Sequence, residues 1–290
     1  MRTVSPVLTC VIGVSLQSLR CGPVSAQPTG RARGRKRRGA CDGCAQRGGT
    51  WRAGSAVPVS RRERTAMTRL CVFDAYGTLF DVAGAARQAA AEPGGGVLAD
   101  IWPGLAEDWR RKQLEYSWLR AVTGDYKPFR AVTEDALDWA LETAGVSDPA
   151  LRETLMALYD ALPAYPEVPQ VLDTLRGSGI ACAILSNGSP DMLQAAVDSA
   201  GLAARLDAIL SVDAVQTFKP ARAVYDRVGA HFGTAPEAVT FVSSNGWDVA
   251  GAAAYGFRTV WVNRAGVAQD RLMAAPGRVL PDLSGLPGVL

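Results

Sequence analysis

The chain has 290 residues, and its 31 Lys and Arg and 28 Asp and Glu divide unevenly: residues 1–66 hold 13 of the basic and 2 of the acidic ones, a charge of +11 on the head and −8 on the rest. Residues 67–290 are long enough to bury one full core, and no stretch reaches the ~18 apolar residues of a helical membrane span. His231 is the one histidine, so multi-His zinc or iron sites are excluded and a Ser-His-Asp triad would have to pass through that residue.

The head is rich in Arg, Gly, Ser and Ala and carries the basic run Arg31 to Arg38, with no periodic apolar face. Such a composition predicts disorder. A secretory signal is the alternative for residues 1–26, ending at Val24-Ser25-Ala26, although Ser5, Pro6, Thr9, Ser15, Gln17 and Ser18 interrupt its apolar core. Without it the expected location is the cytoplasm. The basic run lacks interleaved aromatic residues, so neither a nucleic-acid partner nor a membrane partner is expected. Cys41 and Cys44 have CxxC spacing without the second pair of a zinc ribbon. Composition changes sharply near Met67, which is an alternative start for the functional chain.

From residue 70 onward, short apolar runs alternate with amphipathic segments. Strands are predicted at Leu70–Phe73, Ile180–Leu185, Ala208–Val212, Val239–Val242 and Thr259–Val262, and helices at Val168–Leu175, Asp191–Ala200, Ala221–Phe232 and Val249–Tyr255. Continuous apolar strands separated by helices imply an α/β fold with a parallel sheet covered on both faces. Ser189-Pro190 supplies a helix start and Gly201 a stop. Residues 84–163 read as helices only, clearest at Glu107–Val122, Ala131–Ala144 and Pro149–Leu162. A helical insertion after the first strand suggests a lid over the carboxyl edge of the sheet, where ligands bind in such folds.

Four polar clusters follow four of the strands: Asp74-Ala-Tyr-Gly-Thr78, Ser186-Asn-Gly188, Lys219-Pro220 and Ser243-Ser-Asn-Gly-Trp-Asp248. Any one is weak evidence, but in this order all four converge on one sheet edge. They resemble the motifs of the haloacid dehalogenase superfamily, and the likeness covers residues 67–290. Most members of that superfamily are phosphatases with a second Asp two positions after the nucleophile, and here that place holds Tyr76. Asp248 is also the lone acid of its cluster, where a phosphatase keeps a carboxylate pair for magnesium. A halide leaves as a stable anion without a proton, so displacement at carbon does not need that second acid.

Trp109-Arg-Arg-Lys-Gln-Leu-Glu-Tyr116, with the second and fourth clusters, is similar to the (S)-2-haloacid dehalogenases in particular. The resemblance implies a Rossmann-like core of residues 67–83 and 164–290, a helical cap of residues 84–163, no cofactor or metal, a small 2-haloacid as substrate and a homodimer. It makes Asp74 the nucleophile, oriented by Thr78 and stabilised by Lys219, which Tyr225 and Asp248 hold, and it sets Tyr225 among the substrate-binding residues as well. Arg110, Asn187 and Trp247 would face the departing halide, and Ser186 the substrate carboxylate. Ser243, Asn245 and Asp248 would place the hydrolytic water, while Tyr76, Leu114, Phe129 and Trp247 would wall a small pocket for the substituent on C2. Ala75 and Arg111 would tune specificity. A phosphatase of the same fold and a non-catalytic binding protein are the rival readings. Taken singly the residues have plainer readings: Arg110 as a solvated helix charge, Trp109 and Trp118 as lid packing, Tyr225 as a half-buried helix residue, His231 as a structural surface residue, Asp81 as a turn or cap, and Cys71 and Cys182 as core.

Overall fold

Leu70–Phe73 is apolar at every position and buried on both faces, as the central strand of a covered parallel sheet must be. The computed structural model describes residues 70–91 and 96–290. The expectations for the head, for Cys41 and Cys44 and for Met67 lie outside those residues. In chain order the elements are β1 (Leu70–Phe73), α1 (Val82–Ala91), α2 (Gly96–Thr123), α3 (Phe129–Thr143), α4 (Pro149–Asp160), α5 (Val168–Gly177), β2 (Ala181–Ser186), α6 (Pro190–Ser199), β3 (Ala208–Ser211), α7 (Arg222–Phe232), β4 (Val239–Ser243), α8 (Gly246–Tyr255), β5 (Arg258–Val262) and β6 (Arg278–Leu280).

The six strands form one parallel sheet in the order β3-β2-β1-β4-β5-β6. Chain order runs outward from β1 to β3 on one side and from β4 to β6 on the other, so the topology reverses between β1 and β4. Phe73 pairs with Val242 and with Ile184, which sets Asp74 beside Ser243 at the carboxyl edge, where a doubly wound sheet opens its ligand crevice. α5 buries Val168, Val171, Leu172 and Leu175, a single i, i+3, i+4, i+7 face. Cys71 and Cys182 are paired in register and buried, and burial pushes the Cys182 thiol up to about 12. Among the described residues no helix is long and apolar enough to cross a membrane.

Helices α1 to α4 form the insertion between β1 and β2. Asp81 caps α1, its Oδ1 accepting from Gly84 N at 3.0 Å, which is the structural role expected for it. α2 begins eleven residues before the predicted start at Glu107 and passes through Pro103. A proline interior to a helix removes one backbone hydrogen bond, so a sequence reading stops there, yet the chain continues. Ser189 stands at the N-cap position of α6 but makes no side-chain cap; its hydroxyl accepts from Arg130 N of α3 at 3.2 Å. The insertion is joined to the rest of the fold there, by the Arg130 ion pair to Asp191 and by the Tyr126 hydroxyl bonding Asp213, while Arg130 also pairs with Asp160 of α4 within the insertion. β6 was not foreseen: three residues, two of them exposed, carry too short a pattern to read.

Candidate active site

Asp74 leaves β1 with its N–H still donating to Val242 O at 2.9 Å, and the chain then turns sharply through Ala75 to Phe80. Gly77 sits at φ +83°, a conformation that favours glycine, and a Cβ there would also crowd Ser244 Oγ at 3.1 Å. This turn carries Thr78 back toward the strand end. Its hydroxyl donates to Asp74 Oδ2 at 3.1 Å and accepts from Ser244 N at 2.8 Å, tying the β1 loop to the β4 loop. Asn245 Nδ2 also donates to Asp74 Oδ2, at 2.9 Å, and Ser243 Oγ lies 3.5 Å away.

Lys219 is 1% exposed, and its ammonium lies 3.0 Å from Asp74 Oδ1 and 2.9 Å from Asp248 Oδ2. Two buried carboxylates therefore share one buried cation. Burial disfavours the Lys219 charge, but Asp248 and Asp74 together outweigh it and hold its pKa above the usual lysine value. For Asp248 burial is the larger effect, and despite Lys219 its carboxyl is pushed up to about 6. Tyr225 donates to the other Asp248 oxygen at 2.8 Å. Asp248 lies in the first turn of α8, where the helix dipole favours a negative charge.

The cap supplies Arg110 from α2. Its Nη2 donates to Asn245 Oδ1 at 3.2 Å and its Nη1 to Gln113 Oε1 at 3.0 Å, so both partners are neutral amides. Arg110 and Asn245 are among the residues that line a cavity of about 430 Å³, whose walls are mainly apolar side chains of α2, α4 and residues 162–165.

A family model described as haloacid dehalogenase-like hydrolase matches residues 68–256. The chain belongs to this family. It is 41% identical over 223 residues to (S)-2-haloacid dehalogenase 1 of Pseudomonas sp. (strain CBS-3), covering 77% of this chain and 96% of that one. It is 46% identical over 200 residues to the (S)-2-haloacid dehalogenase of Xanthobacter autotrophicus, covering 68% and 76%. The solved structure of L-2-haloacid dehalogenase from Xanthobacter autotrophicus with chloropropionic acid covalently bound superposes with a TM-score of 0.67 at 39% identity, over 76% of this chain and 97% of that one.

The remaining residues that the dehalogenase resemblance singles out fall in three groups. Ser186 and Asn187 end β2 at the same edge. Ser186 Oγ accepts from Gly188 N at 3.1 Å, and Asn187 Oδ1 accepts from Lys219 N at 3.0 Å, which leaves the Asn187 Nδ2 without an acceptor among the described residues. Tyr225 differs from its expected place around the substrate: it is fully buried and acts one layer back, on Asp248. Tyr76, Leu114, Phe129 and Trp247 do not line the cavity. Tyr76 and Phe129 are buried with their rings stacked 5.9 Å apart, because two facing aromatic surfaces gain more by packing than by leaving a gap. Trp247 meets Trp118 edge-on at 5.4 Å, and Leu114 is half-buried.

The sequence reading assigned nothing to Gln113, Thr133 or Tyr159. Gln113 is 1% exposed; its Nε2 donates to Thr133 Oγ1 at 2.8 Å and Tyr159 Oη at 3.1 Å while its Oε1 holds Arg110. Its place one helical turn from Arg110 was the available signal. Trp109 packs as expected and donates to Thr133 O at 2.8 Å, but it also lines the cavity. Arg264, likewise unforeseen, donates to Thr78 O at 3.0 Å, pairs with Glu167 and stacks on Tyr165. His231 is exposed at the end of α7.

Proposed function

We propose that the chain hydrolyses short (S)-2-haloalkanoic acids to (R)-2-hydroxy acids and halide, through an ester formed on Asp74. The observation that carries this reading is Asp74 itself, 6% exposed, with its carboxylate held by Lys219, Thr78 and Asn245. A desolvated anion fixed in this way is set for in-line attack on a saturated carbon. The halide departs toward Arg110 and the free Nδ2 of Asn187, whose donors stabilise the charge that develops on it. Ser186 and neighbouring backbone amides receive the substrate carboxylate.

Water then adds to the carbonyl carbon of the Asp74 ester, placed by Ser243, Asn245 and Asp248. The bond from that carbon to the ester oxygen on C2 breaks, the hydroxy acid leaves with that former Asp74 oxygen, and the water oxygen stays in Asp74. The overall reaction releases one proton and one halide. Asp248, with its carboxyl pushed up to about 6, is matched to accept that proton near neutral pH.

The reading includes no metal, and the donor set supports it. The oxygens of Asp74 and Asp248 that face each other are bridged by the Lys219 ammonium at 3.0 and 2.9 Å, so a positive charge already stands between the two carboxylates. Tyr76 stands where a phosphatase needs an acid. The reading also divides the chain into a catalytic core of residues 67–83 and 164–290 and a cap of residues 84–163, and has it work as a homodimer in the cytoplasm. Trp118, Leu119 and Val122 form an exposed apolar patch on α2 suited to a second copy. Halide release from each enantiomer of 2-chloropropionate, with and without a chelator, tests the assignment. Release from the (S)-enantiomer unaffected by chelator is the expected result, and release from neither enantiomer would overturn it.

A further inference from the structure

We infer that the cavity beside Arg110 and Asn245 is a subsite for an extended apolar substituent, so that the chain also accepts 2-haloacids whose C2 carries an alkyl or aryl-terminated arm much longer than a methyl group. The inference rests on the dehalogenase reading and adds the substrate range of that site. The cavity holds about 430 Å³, or about fourteen water-sized groups at a water's share of ~30 Å³ each, where a methyl group would fill roughly one. Its walls are Trp102, Trp109, Leu155, Leu158, Leu162 and Tyr165. Asn245, part of its lining, puts it one hydrogen bond from the nucleophile, donating to Asp74 at 2.9 Å.

The space that the sequence reserves for the substituent is largely taken. Tyr76 and Phe129 are 3% and 1% exposed and stacked on each other, and Tyr159 closes on Tyr76 at 5.2 Å. An arm that cannot grow between those rings has the cavity as its open direction. Aromatic rings from Trp102, Trp109, Tyr159 and Tyr165 suit an aryl end. At the rim stands the exposed carboxylate of Glu107, with Asp81 nearby already paired to Arg87. A second carboxylate at the far end of the substrate would meet that negative charge, so the subsite selects monocarboxylates. Each methylene buried is worth about fourfold in transfer from water.

The test is kcat/KM for halide release from the (S)-forms of 2-bromopropionate, 2-bromohexanoate, 2-bromooctanoate and 2-bromoadipate, which share one leaving group. It is run on the full chain and on Ala106→Trp and Leu158→Trp, each of which fills the cavity from a different helix. The expected result is that 2-bromooctanoate equals or exceeds 2-bromopropionate and that 2-bromoadipate falls at least about tenfold below 2-bromohexanoate, which has the same chain length. Each filled variant should lose about tenfold or more on the two longer monocarboxylates and stay within about twofold on 2-bromopropionate. Turnover of 2-bromopropionate without turnover of 2-bromooctanoate in the unmodified chain overturns the subsite and leaves the dehalogenase reading standing. So does a folded variant that keeps its activity on the long substrates. No halide from 2-bromopropionate overturns the dehalogenase reading instead. If a variant fails to fold by circular dichroism, the other variant and the unmodified chain's length series decide.

Discussion

Arg110 of α2 donates to Asn245, which follows β4, at 3.2 Å, and Asn245 donates in turn to Asp74 at 2.9 Å, so one amide side chain links the cation of the helical insertion to the carboxylate at the end of β1. Both partners of Arg110 are neutral amides. Among the described residues no carboxylate is bonded to it, so its charge is oriented without being cancelled, as the proposed departure of a halide toward it requires.

Replacing Asp74 by Asn should lower turnover by about a thousandfold or more, because an amide is a poor nucleophile. The buried Lys219–Asp248 pair survives, so the melting temperature should change little. Lys219→Ala should be equally inactive and also less stable, since it leaves two buried carboxylates without their cation, at a cost of about 3–5 kcal/mol. Halide-release rates and thermal melts on the same preparations check both. Wild-type rates from Asp74→Asn would remove it as the nucleophile.

The pH dependence follows from Asp248. Burial, only partly offset by Lys219, raises its carboxyl to about 6, so kcat/KM should fall as pH drops through that value. The folded pKa lies above the unfolded one of about 3.9. The contribution of this group to stability is thus full below the unfolded value and is lost as pH rises through the folded one. Acid inactivation near pH 6 should accordingly occur without unfolding, by circular dichroism in the same buffers. Tyr225→Phe removes the donor at 2.8 Å from the Asp248 carboxylate and should move the acid limb to higher pH. A profile flat from pH 5 to 8 (the range over which histidine also titrates) would exclude Asp248 from the rate-limiting step.

Stereochemistry and isotope labelling separate attack by Asp74 from attack by water. Displacement inverts C2, and hydrolysis at the ester carbonyl leaves the bond from C2 to oxygen intact, so an (S)-substrate should give only (R)-product. In a single turnover in heavy-oxygen water, mass spectrometry should find the label in the peptide containing Asp74. Label mainly in the first-turnover product would mean direct attack by water.

All the site residues lie between Asp74 and Asp248. A chain beginning at Met67 should fold and keep its kinetic constants, as steady-state assays and thermal melts of the two lengths would report. Inactivity of the shorter chain would make residues 1–66 part of the working unit.

The sequence by itself determined what depends on local pattern and on residue type. Strands buried on both faces must be continuously apolar, so β1, β2, β3, β4 and β5 were legible to within a residue or two, and the polar residues that end β1, β2 and β4 marked the functional edge. Tyr76 in place of a second acid is a statement about chemistry that needs no coordinates. Only the tertiary structure decided what depends on distances between residues far apart in the chain. It set Lys219 between Asp74 and Asp248, put Tyr225 behind Asp248 instead of beside a ligand, and gave Gln113 its hold on Arg110. It also stacked Tyr76 on Phe129 and opened the space next to Trp109. Whether an aromatic residue walls a pocket or fills a core depends on how two separately folded helical faces meet, and neither face encodes the gap between them.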